Sequence, residues 1–242
     1  MASIAVIRAQ IEHRLPGALR ASGHAARETF PTGIAALDRQ MGGIPQSVLT
    51  QICIPGGMVS GKTTMLVSLM AQLTRREHFC ALVDVSDCFD PVSAEAAGAD
   101  LSRVLWVRCG DKKHKLKPLE QAFRAADILV QNGGFGLIAV DLGNIEERHI
   151  RKIPLTTWFR FARVVEKMPT ALVFLTTYPA AQSCAGLTLH MAGVEPCWAG
   201  SGTVPHAQSL VEMKFELEVR RTQLRKPMQS VRQKFAAAPV WA

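Results

Sequence analysis

The chain is expected to fold as an α/β protein: a mainly parallel central sheet flanked by helices, with an antiparallel extension at its C-terminal end. Three observations predict this. A strand-length apolar run, Val48–Ile54, feeds a glycine loop and then an apolar stretch, Thr64–Leu73, that is too long for one strand. Further apolar runs (Phe79–Val85, Val104–Cys109, Phe135–Asp141 and Thr170–Thr177) alternate with helical segments, the order of a parallel sheet covered on both faces. Beyond residue 186 the pattern becomes period two, in Leu187–Met191 and Leu210–Val219, as in strands with one solvated face.

Taken in order, residues 2–15 place Ile4, Ile7, Ile11 and Leu15 on one stripe, the spacing of an amphipathic helix. Pro16-Gly17 stops it, and a small-residue linker runs to about Pro31, dividing an N-terminal arm (1–31) from a main domain (32–242). The arm is expected either to pack on its own core or to reach a neighbouring copy and make a homo-oligomer. Thr32–Asp38 opens a short helix that the Gly42–Pro45 turn ends. Leu116–Gln131 carries Leu119, Phe123, Ala126 and Val130 on one face, and Thr156–Lys167 is a further helix. Residues 193–207, rich in Gly, Pro and Ser, are expected to form a loop, and Ser230–Phe235 a last strand.

The chemistry concentrates in Gly56-Gly57-Met58-Val59-Ser60-Gly61-Lys62-Thr63-Thr64, which has the Gly-x4-Gly-Lys-Thr spacing of a phosphate-binding loop. Glycines let successive backbone N–H groups curl around phosphate oxygens, and a helix starting at Lys62 adds its partial positive charge. Lys62 is expected to reach the β- and γ-phosphates of ATP, and the Thr63 hydroxyl to hold Mg²⁺. Asp141, at the end of its own apolar strand, is the expected partner of the metal.

With 242 residues, 48% hydrophobic, and a mean hydropathy of +0.11, the composition is that of a chain with a large core and not of a disordered one. Its net charge of +8 and pI near 9.5 favour an acidic partner, nucleic acid or an acidic protein surface. The six cysteines form no C-x-x-C pair, so no thiolate metal site is expected; Cys53, Cys80 and Cys109 flank apolar strands and read as buried thiols of a reducing cytoplasm. There is no apolar run of the ~20 residues that span a bilayer, so no membrane is expected. Arg220, Arg221, Arg225 and Lys226 form a basic cluster that suits DNA, a partner contact or the wet face of edge strands.

From Thr32 to about Asn144 the chain resembles the bacterial RecA recombinase core, in TGIAALD, the GGIP turn, GGMVSGKTT, CALVDVSDCFDP and FGLIAVD. The resemblance implies a RecA-like fold binding ATP with Mg²⁺, with Asp90 beside the nucleotide. It also marks departures. The position of the glutamate that activates the attacking water is Ser86, and neighbouring Asp87 is one residue displaced and shorter. The adenine-stacking aromatic falls at Ser93, and the γ-phosphate-sensing glutamine at Thr177, after which too little chain remains for a DNA-binding loop. Glu146–Lys152 stands where the first DNA loop of that family lies.

In its length, N-terminal helix and FELEVRR ending, the chain further resembles ImuA-type accessories of error-prone translesion synthesis. That implies a translesion polymerase subunit of the ImuB type, or RecA, as partner, in the response to DNA damage. Two other readings stand beside this one: a DNA-dependent ATPase that forms filaments on single-stranded DNA, and a scaffold whose phosphate loop is a relic.

Overall fold

A computed structural model describes residues 28–54, 61–110, 116–199, 209–222 and 232–237. The expected N-terminal helix, the glycines and neighbours at 56–60, and Arg225 and Lys226 lie outside these residues.

The expected α/β architecture is present. Strand β1 (Thr29–Phe30) pairs with β2 (Ile44–Pro45) around helix α1 (Ala35–Met41). The chain has therefore joined the fold by Thr29, short of the Pro31 expected for the linker. The helix begins later than the TGIAALD pattern predicts, because Asp38 turns back to hold Thr32 and Gly33. Its Oδ1 accepts from Thr32 N at 2.8 Å and Thr32 Oγ1 at 2.7 Å, and its Oδ2 from Gly33 N at 3.1 Å.

The main sheet contains β3 (Val48–Cys53), β4 (Cys80–Asp84), β5 (Val104–Arg108), β6 (Leu137–Asp141), β7 (Ala171–Thr176), β8 (Leu187–Ala199), β9 (Ser209–Thr222) and β10 (Arg232–Ala237). Their spatial order is β10-β9-β8-β3-β7-β6-β4-β5. All pairings from β5 across to β8 are parallel, while β8–β9 and β9–β10 are antiparallel. β8 thus belongs to both parts. It also runs to Ala199, into the stretch expected as loop. Gly193 sits at a register shift between Ala192 and Val194, so here the glycine marks a β-bulge and not the end of a strand. The last strand lies two residues further on than its pattern predicts.

Helices α2 (Lys62–Thr74), α3 (Pro91–Ala96), α4 (Pro118–Asn132), α5 (Glu147–Ile150) and α6 (Leu155–Val165) complete the described elements. Alternation along each strand divides the core. Leu137 and Ala139 of β6 face α1 and α2, whereas Ile138 and Val140 face α4 and α6. In the second layer Trp158, Phe161 and Phe123 surround Phe174, whose centroid is 5.0 Å from that of Trp158. Among the described residues, no helix is long and apolar enough to cross a membrane.

Candidate functional site

The C-terminal ends of β3, β6 and β4 converge on one spot, where a parallel sheet collects the loops that follow its strands. β3 leaves the sheet at Ile54, whose N–H bonds Thr176 O at 2.7 Å. After residues 55–60 the chain returns through Gly61, at φ 67° in the left-handed region that suits glycine, and starts α2 at Lys62. Gly61 offers this helix no capping side chain and no acidic residue occupies its first turn, so the dipole at its start favours an anion.

Lys62 Nζ lies 3.0 Å from both Asp141 Oδ1 and Oδ2, and 3.3 Å from Asn144 Oδ1. Both side chains of the ion pair are mostly covered, at 13% and 11% exposure, so solvent screens the contact little. Asp141 Oδ1 also accepts from Gly143 N at 2.8 Å. Gly143 packs closely on this pair: a Cβ there would stand 3.0 Å from both Asp141 Oδ1 and Lys62 Nζ, so a side chain would push against them. Thr63 is exposed beside Lys62, and Thr64 is half-buried.

One strand over, Asp84 pairs in register with Asp141 and is buried. Its Oδ1 accepts from Ser86 N at 3.1 Å and its Oδ2 from Phe89 N at 2.9 Å, shaping the turn that carries Ser86. Asp87 has φ 53° and is clamped by Arg108, whose Nε donates to Oδ1 at 2.6 Å and whose second nitrogen bonds Oδ2. That hydrogen bond holds the Asp87 carboxyl below its usual range, which makes it a weaker base. Asp90 caps α3, accepting from Val92 N and Ser93 N at 3.2 Å each and from the Ser93 hydroxyl. These bonds lower its pKa as well. Ser93, in the position of the adenine-stacking aromatic, thus serves the helix start.

The other predicted residues have partners of their own. Thr177 Oγ1 donates to Ile145 O at 2.9 Å. Arg220 is exposed on β9 with its Nε 3.2 Å from Glu218 Oε2, and Arg221 follows it in the strand. In α5 and its flanks Arg148 pairs with Glu146 and Arg151 with Glu147, the balanced charge of a solvated turn. Cys53 and Cys80 are buried, and burial pushes each thiol up to about 12, with the Thr176 hydroxyl partly opposing it at Cys53. Thiols so protonated serve neither as nucleophiles nor as metal ligands at neutral pH.

Sequence reasoning missed Asp84, Gly143, Asn144 and the buried Gln51. For Asp84 a signal existed, since CALVD ends in a carboxylate as LIAVD does. Asn144 had none, because its importance is that a loop folds back on Lys62.

Comparison with known proteins places this geometry. Residues 10–145, over half of the chain, match the model of the RecA N-terminal domain. The chain is 35% identical over 116 residues to "Protein RecA" of Methylococcus capsulatus, covering 47% of this chain and 31% of that protein. It is 33% identical over 132 residues to that of Prochlorococcus marinus, 52% and 34% of the two chains. With that of Desulfotalea psychrophila it shares 28% over 178 residues, 66% and 48%. The chain thus spans about a third to a half of the curated relatives it matches.

Proposed function

Since the chain belongs to the RecA N-terminal domain family, we propose that it is an ATP-binding accessory of DNA damage tolerance, of the ImuA type, that grips nucleotide more than it hydrolyses it. The observation that carries this reading is Lys62 at the start of α2, 3.0 Å from Asp141, with Ser86 in the place of a catalytic glutamate. The residues fit a Mg²⁺–triphosphate: a helix start with no acidic residue in its first turn, a lysine, an adjacent threonine hydroxyl and an aspartate. Residues 56–64 and Asp90 would surround the nucleotide, and Thr63 and Asp141 would hold the metal. When bound, Mg²⁺ neutralises phosphate charge.

Loss of a general base removes about 10²–10⁴-fold in rate. Ser86 lacks the carboxylate, and Asp87 is occupied by Arg108. Thr177 is turned to Ile145 O in place of a phosphate-sensing amide. We propose a cytoplasmic setting, a translesion polymerase subunit of the ImuB type or RecA as partner, and the arm before residue 28 as a separable module, since Thr29 and Phe30 are already paired with β2. Support for these comes from the family match and the sequence pattern.

Two measurements test the reading. Calorimetric titration with Mg-ATP is expected to show binding by the native chain and none by Lys62→Ala. Turnover is expected to stay orders of magnitude below that of a recombinase, with or without single-stranded DNA. DNA-stimulated turnover at a recombinase's rate would establish the DNA-dependent ATPase instead, and no nucleotide binding by the native chain would establish the scaffold.

A further inference from the structure

Strand β3 starts at Val48, the end opposite the one that leads to Lys62. Beside this start lies a cavity of about 220 Å³, walled by helix α6 and by the turn at Ser183–Cys184. Val48, Phe159, Ala162, Arg163, Glu166 and Cys184 are among its lining. The space is smaller than the roughly 300–1,000 Å³ of a site that encloses a small molecule. Its size suits a single large side chain, the way an anchor residue fills a pocket at an interface.

Helix α6 buries Trp158, Phe161 and Val165 against the core, yet Leu155 and Phe159, one turn apart on another face, are 46% and 55% exposed. Cys184 Sγ lies 3.9 Å from Leu155 O, which joins Leu155 to the lining residues. The surrounding charge is mainly positive. From Arg151 to Lys167 five basic side chains stand against one acidic, Glu166. Arg151 pairs with Glu147 and Arg160 with Asp127. Arg163, in the cavity wall, has no such carboxylate partner among the described residues; its guanidinium lies over the Phe159 ring, 5.3 Å from the centroid. Arginine and aromatic side chains are the types enriched at the centres of protein interfaces.

We propose that this groove docks an acidic peptide segment of a partner protein, which seats a large apolar side chain against Phe159 and brings a carboxylate to Arg163. Charge complementarity selects this occupant, because a basic face steers acidic segments in and turns basic ones away. A second copy of this chain, at net charge +8, has the wrong sign. Nucleic acid has the right sign, but its backbone is held by a row of phosphate contacts. Here a guanidinium covers an aromatic ring above an apolar floor of Val48 and Leu49, with Glu166 in the wall. The assignment does not rest on nucleotide binding at Lys62.

Selection of a random-sequence peptide library, displayed on phage, against the immobilised full chain tests the proposal. Enriched peptides are expected to be acidic, with Leu, Phe or Trp within a few residues of Glu or Asp. A synthetic copy is expected to slow maleimide labelling of Cys184, which lines the cavity, and to leave exposed Cys88 unchanged, as mass spectrometry reads at each thiol. Phe159→Ser and Arg163→Glu alter exposed side chains, so the melting temperature is expected to hold while peptide affinity falls about tenfold or more. A peptide with its carboxylate replaced by Lys is expected to regain affinity for Arg163→Glu. Enrichment without acidic bias, unchanged Cys184 labelling, or equal affinity for native chain and variants would each overturn the proposal. So would a single-stranded oligonucleotide that displaces the peptide and itself protects Cys184, which would assign the groove to nucleic acid. Should a variant lose its native melting temperature, Cys184 protection in the native chain decides.

Discussion

At the scale of single residues, the ammonium of Lys62 is shared between the two oxygens of Asp141 and the amide oxygen of Asn144. A phosphate competes for the same positive charge. Asn144→Asp sets a second carboxylate at this spot, and we expect the Mg-ATP affinity to fall about tenfold by calorimetric titration, one pKa unit's worth of charge interaction. Asn144→Ala removes only a neutral acceptor and is expected to stay within about threefold. His190, paired in register with Cys53 of β3 and Glu218 of β9, gives a different prediction. Burial, aided by Arg220 and opposed by Glu218, holds its pKa below the ordinary 6.5. The unfolded chain then takes up the proton first, so stability is full above about pH 6.5 and declines as pH falls through 6.5 towards the folded value. Denaturation midpoints measured from pH 7.5 down to 5 are expected to fall less in His190→Gln than in the native protein. Neither Asn144 nor His190 was legible in the sequence: each acts through neighbours that only chain folding supplies. Lys62 and Asp141 were legible because their chemistry is bound to local patterns, a glycine spacing and a strand end.

Among the elements, β3 is tied to the segment after β7 by one buried side chain. Gln51 Nε2 donates to Thr176 Oγ1 at 2.8 Å and Tyr178 O at 2.9 Å, and its Oε1 accepts from Ala181 N at 3.1 Å. The same segment is held from above by Arg151, whose guanidinium lies 3.8 Å from the centre of the Tyr178 ring. Gln51→Ala leaves the Ala181 N–H unpaired and removes one bond each from Thr176 Oγ1 and Tyr178 O, which keep each other at 3.0 Å, and we expect a loss of about 2–3 kcal/mol. That is a fall of roughly 5–10 °C in the melting temperature by calorimetry. In a run of apolar residues Gln51 reads as a mere interruption; its use depends on a turn 130 positions away. Strand ends were misread for a related reason. Gly193 looked like a loop residue, but long-range pairing with β9 carried the strand past it.

For the whole molecule, the sheet separates two apolar layers, and stability depends on how completely each is filled. Phe174 sits at 0% exposure among Trp158, Phe161 and Phe123. Phe174→Ala opens a cavity with no side chain free to fill it, and is expected to cost about 3–5 kcal/mol in chemical denaturation. Phe174 makes none of the contacts of the Lys62–Asp141 pair, so a variant that still folds should bind Mg-ATP as the native chain does. The excess of basic residues does not gather into a DNA-reading loop among the described residues: Arg148, Arg151 and Arg220 each lie against a glutamate. Such exposed pairs contribute little to stability, but they lower the local positive potential.

The sequence alone determined the α/β class, the order of the parallel strands along the chain, and the lysine and aspartate of the phosphate site. These depend on local periodicity and on motifs a few residues long, which survive without knowledge of the fold. Tertiary structure alone decided what those groups meet. It set Asn144 and Gly143 against Lys62, turned Asp87 to Arg108 and Asp90 to its own helix, and made β8 the hinge between parallel and antiparallel pairing. Each of these is a contact between residues far apart in the chain, or a choice between neighbours of equal chemical merit, and packing is what makes that choice.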